Sequence, residues 1–134
     1  MAARFSYFNL LARDIDALAG FYAGLLGYPE VAALRSPIFR CLDAGGVLLG
    51  FNAWAAYDLL GMSDRVPDRP ATAAYATFEL DSAAAVDACV ERARQLGATL
   101  VKAQYRTYYH AYQAVLADPE GNVFRLNHDL GPTA

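Results

Sequence analysis

The chain has 134 residues, 56% of them hydrophobic and 19% charged, with a formal net charge of −3 and a pI near 5.2. Such a chain buries roughly two-thirds of its unfolded surface as one soluble domain, residues 1–134, so disorder is excluded. The 11 Lys and Arg residues are scattered and leave no basic footprint for DNA or RNA, and no apolar run approaches the roughly 20 residues that cross a bilayer.

Near the N-terminus the apolar run 5–12 is ended by Arg13 and Asp14 before a signal-peptide core is complete. Two cysteines, Cys41 and Cys89, have neither the number nor the spacing of a disulfide framework or zinc site, and a cytoplasmic protein is expected. Residues 7–11 predict a strand. Asp14 then caps a helix in which Ile15, Leu18, Tyr22, Leu25 and Leu26 recur at helical spacing, and Gly27 ends it with Pro29 just beyond. Residues 31–34, 39–42 and 47–52 read as three short strands, punctuated by Ser36-Pro37 and by Asp43-Ala44-Gly45-Gly46.

Residues 53–60 predict a short helix carrying Trp54 and Tyr57, either packed on the sheet rim or acting as a lid. The polar, proline-punctuated stretch 61–70 reads as a linker. The order then repeats. A strand over 74–80 leads to a helix capped at Asp81 or Ser82, with Val86, Cys89, Val90, Ala93 and Leu96 on one face and Gly97 at its end. On that apolar face Cys89 is expected to pack, not to react. Strands over 99–106, 110–117 and 122–127 complete the second half. The prediction is an α+β fold of two βαβββ modules, 4–52 and 72–128, joined by a short helix and linker over 53–71. Each module carries a helix on one sheet face and leaves the other free to line a cleft.

Between the last two strands, Asp118-Pro119-Glu120-Gly121 supplies a side-chain acceptor, a preset φ and a tolerated positive φ for a tight turn. Together with Tyr7-Phe8-Asn9-Leu10-Leu11-Ala12-Arg13-Asp14-Ile15 and Phe21-Tyr22-Ala23-Gly24-Leu25-Leu26-Gly27, this turn resembles the vicinal oxygen chelate superfamily of glyoxalases, bleomycin-resistance proteins and extradiol dioxygenases, over nearly the whole chain. The resemblance implies paired half-barrel sheets, a homodimer and, in metal-dependent members, four ligands from the first, fourth, fifth and eighth strands. The matching residues are Tyr7, Leu48 or Gly50, Tyr75 and Arg125. None is a usual metal ligand, so no metal and no cofactor are expected.

Strand parity places Tyr7 with Asn9, Tyr75 with Thr77 and Glu79, and Arg125 with Asn127, as candidate ligand-binding faces. Trp54 and Tyr112 join this set, the latter from the tyrosine-rich run 105–112, in a chain with nine tyrosines. His128 falls on the face opposite Arg125, and His110 opens the seventh strand. A buried guanidinium needs an anion, so Arg125 pairs with Glu79 or grips an anionic ligand. Three functions follow. One is a metal-free small-molecule binding protein. Another is a metal-free enzyme, with Tyr7 or Tyr75 as general acid and His110 as base. The last is a glyoxalase-like lyase or dioxygenase with an unconventional metal site, which rests on fold analogy.

Overall fold

A computed structural model describes residues 2–69 and 71–132, so Met1, Thr133, Ala134 and Pro70, the last residue of the expected linker, lie outside the described residues. Two units divide the chain, Met1–Arg69 and Pro70–Ala134.

In the first unit, β1 (Tyr7–Ala12), β2 (Phe39–Asp43) and β3 (Leu48–Ala53) form a sheet of order β1-β3-β2, with β1 and β3 parallel. Helix α1 (Ile15–Leu26) covers one face of it. Asp14 caps the helix by accepting from the Ala17 N–H at 3.0 Å, and Gly27, at φ 72°, donates its N–H to the Ala23 carbonyl. Leu18, Phe21 and Tyr22 are buried, and Tyr22 stacks on Phe51 of β3 with centroids 5.8 Å apart. Arg40 of β2 reaches Asp16 of α1 at 2.8 Å, which marks its side of the strand as the helix side. A short helix α2 (Ala55–Leu59) follows β3.

The expected strand over 31–34 is not formed. Glu30 makes a single bridge to Leu42, and the Val31 N–H reaches the Cys41 carbonyl at 2.9 Å. The chain then turns through a 3₁₀ helix, Ala32–Leu34. The Asp43 N–H also reaches the Pro29 carbonyl at 2.8 Å, so the short pairing ends after Val31; Ala32-Ala33 brings little strand preference, and i→i+3 bonds from Leu34 and Arg35 replace cross-strand pairing. The first sheet therefore has three strands.

The second unit keeps the full strand, helix, three-strand order. β4 (Ala76–Glu79), β5 (Thr99–Arg106), β6 (Ala111–Ala117) and β7 (Val123–Asp129) pair as β4-β7-β6-β5, with β4 parallel to β7. Ser82, not Asp81, caps α3 (Ala83–Gln95), its hydroxyl accepting from the Ala85 N–H at 3.0 Å. Val86, Val90 and Ala93 of α3 are buried, as are Ala114, Leu116, Phe124 and Leu126 on the covered face of the sheet. The β6–β7 turn is built on Asp118, only 2% exposed, whose Oδ1 accepts from the Glu120 and Asn122 N–H groups and the Asn122 side chain. Gly121 at φ 88° takes the left-handed position that a side chain would strain.

Candidate functional site

The face of the second sheet turned away from α3 collects polar and aromatic side chains. The parallel register sets Thr77 beside Arg125 and Glu79 beside Asn127, and the antiparallel register sets Gln113 beside Asn127. Arg125 Nε donates to Thr77 Oγ1 at 3.1 Å, and a terminal nitrogen donates to the Tyr109 hydroxyl at 3.0 Å. Its carbon Cζ lies 5.4 Å from the centre of the Tyr75 ring, which stands just before β4 and is 54% exposed. The Tyr109 hydroxyl donates to Gln113 Oε1 at 2.8 Å, and the Gln113 amide donates in turn to the Tyr105 hydroxyl. Gln113 is only 2% exposed, so this chain of hydrogen bonds holds Tyr109 and, through it, the guanidinium.

Arg125 does not pair with Glu79. Glu79 Oε1 accepts from Asn127 Nδ2 at 2.8 Å and Oε2 from the Asp129 N–H at 2.7 Å. Among the described residues no carboxylate forms an ion pair with Arg125; its partners are neutral. Asn127 Oδ1 is buried without a hydrogen-bond partner, which costs about 1–3 kcal/mol.

Other expected site residues sit elsewhere. Tyr112 lies on the face covered by α3 and donates to Asp87 Oδ1 at 2.7 Å; that bond, with some burial, raises its hydroxyl above the usual tyrosine value. His110 precedes β6 at φ 63° and its Nδ1 lies 2.6 Å from the Gly131 carbonyl, so it donates there. His128 does the same to the Leu80 carbonyl at 2.8 Å. Neither histidine joins the hydrogen bonds around Arg125.

In the first unit the sheet face away from α1 carries Tyr7, Asn9, Phe39, Gly50 and Asn52. Asn52 Nδ2 donates to Asn9 Oδ1 at 3.0 Å, and that oxygen lies where a side chain on Gly50 would begin, 2.3 Å from the ideal Cβ. Tyr7 leans toward Phe39 with centroids 6.4 Å apart. Trp54 is covered by the Arg13 guanidinium, 4.6 Å from the ring centre, and meets Tyr57 edge-on.

Sequence parity missed Tyr109, Gln113 and Asn52. Gln113 was available in the alternation Ala111, Gln113, Val115 of β6, opposite Asn127. Tyr109 sits in the turn before β6, where strand parity has no meaning.

The residues at the superfamily's ligand positions do not fit a divalent cation. Tyr7 and Tyr75 are neutral phenols, Leu48 and Gly50 offer no side-chain donor, and the Arg125 cation stands beside Tyr75. Among the described residues no group of three or more His, Cys, Asp or Glu is arranged to hold a metal ion.

Comparison with known proteins gives one family description, glyoxalase-like domain, matching residues 7–127. The chain is similar to the crystal structure of a glyoxalase/bleomycin resistance protein/dioxygenase family enzyme from Burkholderia phytofirmans PsJN, at 47% identity and TM-score 0.92, covering 96% of this chain and 100% of that one. Its fold is shared by a lactoylglutathione lyase from Agrobacterium tumefaciens at 22% identity and TM-score 0.70, covering 95% and 94% of the two chains. A genomically encoded fosfomycin resistance protein from Listeria monocytogenes shares it at 18% identity and TM-score 0.71, covering 96% and 94%. No curated protein matches.

Proposed function

The chain belongs to the glyoxalase-like domain family, and from that premise we propose that it is a small-molecule binding protein that grips a polar or anionic ligand with an aromatic part through Arg125. One observation carries the reading: the guanidinium is held by Thr77, Tyr109 and the Tyr75 ring, with no carboxylate among the described residues to neutralise it. Two of its five N–H groups are occupied by these neutral partners, and the rest are available as a fork for a carboxylate or phosphonate. Tyr75 and Tyr109, both about half exposed, offer rings for the flat part of the ligand. Support for a metal-free mode comes from the donor chemistry of Tyr7, Leu48, Gly50, Tyr75 and Arg125.

An enzymatic reading draws on the relative described as a family enzyme. In it Tyr75, beside Arg125, is the general acid. A homodimer belongs to the same proposal, supported by the exposed apolar side chains of Leu59, Leu60 and Val101. Light scattering at micromolar concentration is expected to give twice the chain mass, and a monomer rejects the dimer.

The ligand proposal is tested by thermal shift with benzoate and phenylphosphonate. The expected result is stabilisation of the wild-type protein that disappears in Arg125→Gln, with benzamide inert. Equal stabilisation of both proteins, or of wild type by benzamide, overturns the anchor. Release of a chemically altered ligand would favour the enzyme.

A further inference from the structure

Arg125 and Glu79 are diagonal neighbours on one sheet face, since Thr77 stands beside Arg125 and Glu79 beside Asn127, two residues or about 7 Å further along the strand. Long side chains of opposite charge at that spacing are within reach of one another. Here each is held apart from the other by neutral groups. The guanidinium is drawn to Thr77 and Tyr109, whereas both Glu79 oxygens are occupied by Asn127 Nδ2 and the Asp129 N–H. Glu79 is exposed, and an ionised carboxylate has about four acceptor sites, so two are still available.

One further feature extends the negative end of this face. Asp129, two residues beyond Asn127 on the same side of β7, is exposed and adds a second carboxylate. A purely anionic ligand seated on Arg125 would meet repulsion from Glu79 and Asp129. A purely cationic one would meet Arg125. Only a molecule carrying both charges a few bonds apart complements both ends.

The geometry points to a dipolar ligand: a small amino-acid-like zwitterion whose carboxylate or phosphonate sits on Arg125 and whose ammonium sits toward the exposed Glu79, with an aromatic part against Tyr75. This rests on the reading that Arg125 anchors a ligand. It adds the ammonium and the carboxylate that receives it.

Calorimetric titration of the full chain with L-phenylalanine, N-acetyl-L-phenylalanine and L-phenylalaninamide tests it. L-Phenylalanine is expected to bind about tenfold or more tightly than either blocked form, the size of one charge-assisted hydrogen bond. Glu79→Gln is expected to lower L-phenylalanine to the level of the N-acetyl compound while leaving the latter unchanged or improved. If the N-acetyl compound binds wild type as tightly as L-phenylalanine, and binding is lost in Arg125→Gln, the dipolar inference is overturned while the anion anchor stands. Absence of binding by all three compounds at millimolar concentration also overturns it, and the benzoate and phenylphosphonate series then decides the anchor separately. Should Glu79→Gln fail to fold, the three-compound comparison on wild type still decides.

Discussion

Arg125 was open to two readings at the level of its residue type, an internal pair with Glu79 or a ligand anchor, and the hydrogen bonds separate them. Glu79 accepts from Asn127 and Asp129 rather than from Arg125, so removing the guanidinium strands no carboxylate. Arg125→Ala is therefore expected to change stability by less than about 1 kcal/mol, because the guanidinium is half-buried and loses only two hydrogen bonds to neutral partners, while abolishing binding. Urea unfolding checks it; a loss near the 3–5 kcal/mol of a broken buried pair would restore the internal-pair reading. Gly50 makes a different argument. Its missing side chain makes room for Asn9 Oδ1, which a Cβ would meet at 2.3 Å, and for the Phe39 ring edge at 3.0 Å. Gly50→Ala is expected to destabilise by about 1–3 kcal/mol as overpacking, with Asn9→Ala partly restoring the double variant. Additive losses in that cycle would show that the two sites do not share this contact.

Single elements show where local chemistry decides and where it yields. The β6–β7 turn follows from its own residues, because Asp118 supplies the acceptor for three donors and Gly121 the positive φ. Asp118→Ala removes a buried acceptor and leaves those part-buried donors unpaired, and a loss above about 2 kcal/mol is expected in urea unfolding. A smaller loss than that of Asp14→Ala, an ordinary helix cap at about 1 kcal/mol, would show that the turn is held from elsewhere. Residues 31–34 are the counterexample. Their apolar run resembles a strand, yet a strand exists only through a ladder, and the two alanines after Val31 give up the ladder to a 3₁₀ turn.

Across the whole molecule, the shifted titrations set the pH range of stability. Burial raises the Cys41 thiol, with Asp43 and Glu30 adding to it, and burial raises Cys89 and Tyr28; the Asp87 hydrogen bond raises Tyr112. Each folded-state value lies above the unfolded one, so the stabilisation is fully present below the unfolded value and is lost as pH rises toward the folded value. Unfolded thiols titrate near pH 8.5, so the urea midpoint is expected to hold from pH 7 to 8 and to fall by pH 10. A midpoint at pH 10 equal to or above that at pH 7 contradicts this. The same burial predicts that both thiols, which are free, react slowly with iodoacetamide in the folded protein and rapidly in urea. No helix among the described residues is long and apolar enough to cross a membrane.

The α+β order, the helix cap at Asp14 and the Asp118 turn were legible in the sequence because each depends on residues a few positions apart, and the second cap was narrowed to Asp81 or Ser82, of which the structure uses Ser82. Parity alone also put Thr77, Glu79, Arg125 and Asn127 on faces that the β4–β7 register brings together. The choice of partners within that face was not legible. Whether Arg125 bonds Glu79 or Thr77, whether Tyr112 or Tyr109 reaches it, and whether residues 31–34 form a strand depend on which chain segments lie side by side, tens of residues apart in sequence. Tertiary pairing decides these, because a hydrogen bond forms only within about 3 Å and strand parity says which way a side chain points without saying what waits there.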